Sequence, residues 1–423
     1  MPGWKDLNTL FQKNKILVEN FSFLGMMQVA NLILFLVTVP YLFRALGKET
    51  YGLVIFAQTV VLYFSILVNF GFNLTAARDV SVNRNTPVRL NEIVTSVLII
   101  KVIFFISAVM IMYLLTSLIE SFHQFRILYL FSMIAALSEA LFPVWYFQGI
   151  EKMKYITFIN VSTRIISTVL VFIFITGTSD YIKYPLIIGA GSLTGAIVGL
   201  IIVFGKHGVK FIYIPVADLV DKIKENTLYF LANVSTQVYV NANRIIVGAF
   251  LGMTQVAYYD VAEKIVTILK VPFSVLNQVL LPRFAKTLNY SFLRKIMLAT
   301  ISSTLIVIIG LNFFSMPVMR IFTGSSNIES VNILRLLSIS LLPVAVSIFY
   351  GDIVLISYEL KKEYASMRFS GLLLYLAMTA IIVLTGHASS YYIAATIVVV
   401  EIFIACCSYM LCRKSNLLHE HFF

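Results

Sequence analysis

Charge is scarce in this sequence. Only 12% of its 423 residues are Asp, Glu, Lys or Arg, while 59% are hydrophobic. A soluble globular chain carries about 25% charged residues, so that class is excluded. Cysteine is scarce too. Cys406, Cys407 and Cys412 crowd together near the end, with no CxxC or Cys/His ligand spacing. They supply neither a disulfide framework nor a zinc site and read as buried thiols. No P-loop, nucleophile motif or metal-ligand cluster occurs. His123, His207, His387, His419 and His421 all fall in expected loops or the tail. Nothing therefore points to catalysis, a metal or a cofactor, and the chain reads as not an enzyme. A cleavable signal is not evident either. MPGWKDLNTLFQKNK is polar and basic, and the apolar run after it is too long for a signal core. No polar stretch is long enough for a soluble domain, the longest link running from about Lys206 to Glu225.

Long apolar runs fill the chain instead. A helix needs about 20 apolar residues to cross a bilayer. Twelve such windows occur, near 18–42, 51–75, 92–117, 126–148, 155–177, 184–204, 226–250, 256–281, 296–318, 333–356, 367–386 and 389–411. The net charge of +12 is a topology signal. With the N-terminus inside, most Lys and Arg fall in inner segments, as the positive-inside rule requires, and both termini are cytoplasmic. The fold class is an all-α polytopic membrane protein.

The two halves echo each other at a separation of about 206 residues. Asn20, Asn31 and Thr38 in the first window share the spacing of Asn226, Gln237 and Arg244 in the seventh. RALGKETYG and AFLGMTQVA follow, sharing Leu-Gly and a small residue five positions on. Six helices per half is an even number, so the repeats have the same orientation. The expectation is two pseudo-symmetric six-helix bundles, 1–205 and 225–423, joined by a cytoplasmic linker at 206–224, around a central cavity.

Polar side chains are organised into stripes. On a helix, positions 0, 11 and 18 nearly coincide in angle. The seventh window thus gathers Asn233, Gln237 and Arg244 on one face, with Asn241 at its edge. The first carries Asn31, the second Asn69, and the eighth Asp260, Glu263, Lys270 and Gln278. Ionisable groups in hydrocarbon are costly and mark function. Arg244, Lys270, Lys264, Lys101 and Arg164 lie inside spans and suit a multiply charged anion such as a phosphate ester. Asn31, Asn69, Asn233, Gln237, Asn241 and Gln278 suit sugar hydroxyls. Glu139, Glu263 and Glu401 are candidates for ion coupling. Plainer readings accompany these. Amides also glue helices together, Lys101 and Arg164 can snorkel, and Lys264 can pair with Asp260 at i,i+4.

PYLFRALGKETYG, VNFGFNLTAARDVSVNR and FPVWYFQGIEKMKY resemble the first-half motifs of Wzx-type O-antigen flippases, in the polysaccharide-transporter branch of the multidrug/oligosaccharidyl-lipid/polysaccharide exporter superfamily. NRIIVGAFLGMTQVAYYDVAEKI, VLLPRF and YELKKEY sit where the second half requires them, and the resemblance covers nearly the whole chain. Members often carry Asp before the second-half basic residue, where this chain reads Asn243-Arg244. The resemblance implies a bacterial inner membrane and a cavity lined by helices 1, 2, 7 and 8. It implies a substrate of one oligosaccharide repeat unit on undecaprenyl pyrophosphate, flipped by alternating access for lipopolysaccharide O-antigen synthesis. Expected partners are that lipid, membrane lipid and other polysaccharide assembly proteins, with no nucleic acid. The alternatives are an ion-coupled small-molecule exporter of the same superfamily and a non-transporting assembly scaffold. Trp145 and Tyr146 are expected as headgroup-level anchors, with Lys152 and Lys154 near anionic lipid.

Overall fold

The computed structural model describes residues 15–325, 327–415 and 417, and among these there is no strand. The chain divides into two compact units. The first comprises Met1–Leu46 and Ala57–Leu231, the second Gly47–Phe56 and Ala232–Phe423. The helices are α1 (Lys15–Asn69), α2 (Phe72–Asn83), α3 (Pro87–Leu118), α4 (Glu120–His123), α5 (Arg126–Leu141), α6 (Val144–Gly149), α7 (Met153–Phe174) and α8 (Lys183–Ile201). After a nonhelical link come α9 (Val216–Leu251), α10 (Met253–Thr287), α11 (Tyr290–Phe313), α12 (Ser315–Thr323), α13 (Ile328–Ile339), α14 (Leu341–Ser347), α15 (Lys361–Leu384) and α16 (Ser390–Lys414).

Ten runs among the described residues are long and apolar enough to cross a membrane. They agree with the twelve expected spans once two features are recognised. The first run, Ser22–Asn83, contains two spans, because the backbone breaks inside α1 at Gly47 (φ 72, ψ 161). The expected seventh span lies within α9, whose amides and Arg244 keep it out of the ten.

The break at Gly47 has a counterpart at Gly252 (φ 89, ψ 169), between α9 and α10. Only glycine takes such backbone angles freely, which explains the shared Leu-Gly of the two halves. A second repeated device ends on glutamate. Glu151 and Glu359 both adopt φ 57. The Glu151 N–H donates to the Gln148 carbonyl at 3.0 Å, and that of Lys152 to Phe147 at 2.9 Å. In the second unit the N–H groups of Glu359 and Leu360 donate to Ile356 and Leu355, each at 3.0 Å. Each half thus turns between two helices through the same left-handed elbow.

Small residues set the packing within each unit. In the first, a Cβ on Gly149 of α6 would fall 2.6 Å from the Val80 side chain, and one on Gly191 of α8 would fall 1.9 Å from Ser167 Oγ. In the second, a Cβ on Gly371 of α15 would lie 2.9 Å from Ile404 of α16. Close approach of backbones is how membrane helices associate when water gives no hydrophobic drive.

Trp145 and Tyr146 are not interfacial anchors. They are 0% and 2% exposed and pack with Phe147, Val80 and Val97 in the first unit's core. Pro143 stops α5, and the short α6 that follows turns the aromatic residues inward. Nor is the 206–224 segment a free connector. Val209, Ile214 and Leu219 are buried in that same core. The N–H of Lys210 donates to Asn91 Oδ1 at 2.8 Å, and α9 has begun by Val216.

Candidate functional site

In the second unit, α9 and α10 bring four ionisable side chains together. Arg244 Nε donates to Glu263 Oε2 at 2.7 Å and lies 3.5 Å from Asp260 Oδ1. Lys264 Nζ lies 2.7 Å from Asp260 Oδ2. The Tyr51 hydroxyl, from the Gly47–Phe56 segment, donates to the same oxygen at 2.8 Å and accepts from Lys264 Nζ at 3.3 Å. Tyr51 can reach because Gly52 has no side chain. A Cβ there would fall 1.7 Å from the Met253 carbonyl. Asp260 is 0% exposed, so its charge depends on these partners.

Arg244 and Lys264 do not stand as unpaired cations in this conformation, because Asp260 and Glu263 neutralise them. Glu263 is correspondingly an ion-pair partner. Asn243, where the resemblance led an acid to be expected, is a structural hub. Its Nδ2 donates to Tyr259 Oη at 2.7 Å and to the Ile393 carbonyl at 3.0 Å, and its Oδ1 accepts from Tyr375.

Lys270 stands differently. It lines a cavity of about 260 Å³ inside the second unit with Glu263, Glu401, Thr267 and Tyr239. Asp352 and Arg368 share that cavity but are paired at 2.8 Å, with the Tyr364 hydroxyl also on Asp352 at 2.9 Å. Among the described residues, neither Lys270 nor Glu401 has an ion pair. Gln237 and Asn241 bond to each other, Asn241 Nδ2 lying 3.1 Å from Gln237 Oε1. Gln278 is exposed, and the side chain of Asn233 lies outside the described ones.

In the first unit the amides mostly serve the fold. Asn20 holds the elbow, its Nδ2 donating to the Glu151 carbonyl at 2.9 Å and its Oδ1 accepting from the Met153 N–H at 3.1 Å. Asn31 Oδ1 accepts from Arg164 Nη1 at 3.1 Å, and Arg164 is exposed rather than set in a cavity. Glu139 accepts from Asn69 Nδ2 at 3.0 Å and from Asn73 Nδ2 at 3.3 Å. Nearby Lys101 is 0% exposed, and among the described residues its Nζ has no hydrogen-bond partner. Glu139 is the charge acting on it. Lys101 therefore lines no cavity here, and a substrate could reach it only after rearrangement. The surrounding backbone is broken twice, at Phe70-Gly71 (φ 45 and 78) and at Phe142-Pro143.

Sequence reasoning missed three participants. Tyr51 lies too far along the chain for any spacing to find it. Asn243 was visible only as a departure from a pattern. The Asp352–Arg368 pair joins two segments that carry no shared periodicity.

Ionisable groups held inside apolar helices of membrane-spanning length are the pattern of a polytopic helical membrane transporter. The chain belongs to the polysaccharide biosynthesis protein family, whose profile matches residues 17–288. It is 26% identical over 413 residues to a provisionally named O-antigen transporter of Escherichia coli (strain K12), covering 96% of this chain and 99% of that one. A relative from Shigella dysenteriae with the same provisional name is 25% identical over 78% of this chain and 83% of its own. The fold is that of the lipid II flippase MurJ in its inward closed conformation, with TM-score 0.73, 15% identity and coverage of 93% and 87%. It also matches an inward-facing multidrug resistance MATE transporter of the MOP superfamily, with TM-score 0.72, 13% identity and coverage of 92% and 94%.

Proposed function

We propose that this protein moves a lipid-linked oligosaccharide from the cytoplasmic to the outer leaflet of a bacterial inner membrane by alternating access. The cargo is an O-antigen repeat unit on undecaprenyl pyrophosphate. The observation that carries the proposal is Lys270, an unpaired ammonium deep in α10, open to a cavity and beside hydroxyl and carboxyl groups. Full-length similarity to O-antigen transporters supports the choice of cargo.

In this reading Lys270 is the first cation the pyrophosphate meets. Arg244 and Lys264 join when the anion displaces Glu263 and Asp260 from them. A carboxylate released in that way takes up a proton more readily, which supplies a route to ion coupling through Glu263. Glu401 and Glu139 are further carriers. Asn69, Gln237, Asn241 and Gln278 offer interchangeable hydrogen bonds to sugar hydroxyls.

The test is Lys270→Ala beside Lys270→Arg, in protein that reaches the membrane. The readout is outer-leaflet lipid-linked sugar, labelled by an enzyme confined to the outside. Loss with Ala and retention with Arg supports an anion site. Equal flipping by both removes Lys270 from it. A second reading, proton-driven export of a small organic cation, is favoured only by Glu401, a buried acid without an ion pair on the same cavity. It requires Glu401→Gln to abolish efflux of the cation while Lys270→Ala spares it.

A further inference from the structure

The stretch WYFQGIEKMK has no part in the transport reading, yet the fold builds something around it. The elbow at Glu151 delivers the chain into α7, which starts with Lys152 as N-cap and Lys154 in its first turn. No acidic residue occupies that turn. A helix start carries partial positive charge and prefers acids, so the lysines are placed against local stability. The equivalent helix of the second unit, α15, does have an acid there, Glu363.

A second chain segment adds to the charge. The last turn before the link, Ile202–Lys206, is π-helical and closes with the His207 N–H on the Ile202 carbonyl at 3.0 Å. The wider turn carries Lys206 and His207 to the elbow. Lys154 Nζ and Lys206 Nζ lie 5.8 and 5.6 Å from the centroid of the Tyr155 ring. The His207 ring packs 5.7 Å from Tyr155 and 5.6 Å from Tyr146, with Nδ1 3.1 Å from the Tyr146 hydroxyl. Among the described residues, His207 Nε2 is buried without a partner. Burial, with Lys152 and Lys206 close by, holds the imidazole below its usual pKa.

Among the described residues, Lys152, Lys154 and Lys206 form no ion pair. Glu151, their neighbour in sequence, lies 3.3 Å from Arg84 instead. Exposed cation–π contacts contribute only about 0.5–1 kcal/mol each and leave the like charges in place. The patch also borders apolar surface. Phe158, one turn beyond Lys154, is 58% exposed, and Ile201, before Lys206, is 63% exposed. Cations beside exposed apolar side chains fit an amphiphile better than a soluble ion.

We propose that Lys154 and Lys206, on the Tyr155 ring, and Lys152, close to His207, bind the phosphate headgroup of an anionic lipid in the inner leaflet. Phe158 and Ile201 would lie along its acyl chains. The leaflet rests on the cytoplasmic orientation adopted in the transport reading; the binding itself does not.

The experiment titrates the purified full-length protein, in a zwitterionic background, with phosphatidylglycerol or with inorganic phosphate, reading retained lipid by native mass spectrometry and the unfolding midpoint. The proposal expects phosphatidylglycerol to bind and stabilise, and inorganic phosphate at equal concentration to do neither. The triple variant Lys152→Gln, Lys154→Gln, Lys206→Gln should bind the lipid roughly a hundredfold more weakly. The control Lys362→Gln, on α15, should bind as the parent does. Should the triple variant fail to fold, Lys206→Gln alone should weaken binding by about fivefold. Unchanged affinity in the lysine variants, equal weakening in the control, or an equal response to inorganic phosphate would each overturn it. Because binding is measured without flipping, failure of the transport reading would show in the leaflet assay and leave this result readable.

Discussion

Asp260→Asn removes one charge from the four-residue cluster of α9 and α10 while keeping a side-chain oxygen for the Tyr51 hydroxyl. Asp260 is fully buried, whereas Arg244 and Lys264 retain 18% and 29% side-chain exposure. Breaking a buried ion pair costs about 3–5 kcal/mol, and the two cations' partial access to water places this case near 3 kcal/mol. Lys264→Met removes the facing charge and leaves Asp260 with Arg244 and Tyr51, so its cost is smaller. The double variant should be more stable than the two single effects predict, because neither member then strands the other. The assay is reversible unfolding in mixed micelles, read as a double-mutant cycle. A coupling energy above about 1 kcal/mol is expected, since independent sites add within about 0.3–0.5 kcal/mol. Additivity within that margin would refute the cluster as an energetic unit.

Further predictions concern other parts of the molecule. Gly52→Ala places a methyl group 1.7 Å from the Met253 carbonyl, so thermal unfolding should show a loss of several degrees. Gly25→Ala meets nothing within 4 Å inside α1 and should stabilise by about 0.5–1 kcal/mol in the same assay. Lys101→Met removes an ammonium that is 0% exposed and, among the described residues, without a hydrogen-bond partner; combined with Glu139→Gln, which keeps an oxygen for Asn69 and Asn73, it should be neutral or stabilising in unfolding, whatever it does to flux. His207 has a folded pKa below its ordinary 6.5, so the folded state binds fewer protons. Stability is then present above pH 6.5 and lost as the pH falls below it; His207→Phe should flatten that part of the unfolding-midpoint profile relative to the parent.

Hydrophobic run length made the helices legible, because the bilayer imposes one length on every span. The shared Leu-Gly of Leu46-Gly47 and Leu251-Gly252 was legible because only glycine serves freely at the backbone angles both positions adopt. The stripes located Arg244, Lys264 and Lys270 but did not separate their roles. Whether a buried cation is paired depends on carboxylates brought in by other helices. Lys264–Asp260 was readable at i,i+4, whereas Arg244–Glu263 and Tyr51–Asp260 arise only on folding. Asn20 shows the converse. Its spacing marked it only as a position of the repeat, and its hydrogen bonds hold the elbow at Glu151. Trp145 misled because a Trp at the end of a span usually lies at the interface, while the proline two residues earlier redirects this one into the core.

The central claim is movement of a lipid-linked sugar between leaflets. The most direct measurement uses cells that lack this protein and its relatives but still make the lipid-linked repeat unit. A sugar-modifying enzyme confined to the outside reports how much of that lipid reaches the outer leaflet. Modified lipid should appear when the parent protein is restored and should be absent with Lys270→Ala. Equal modification with and without the protein would contradict the account.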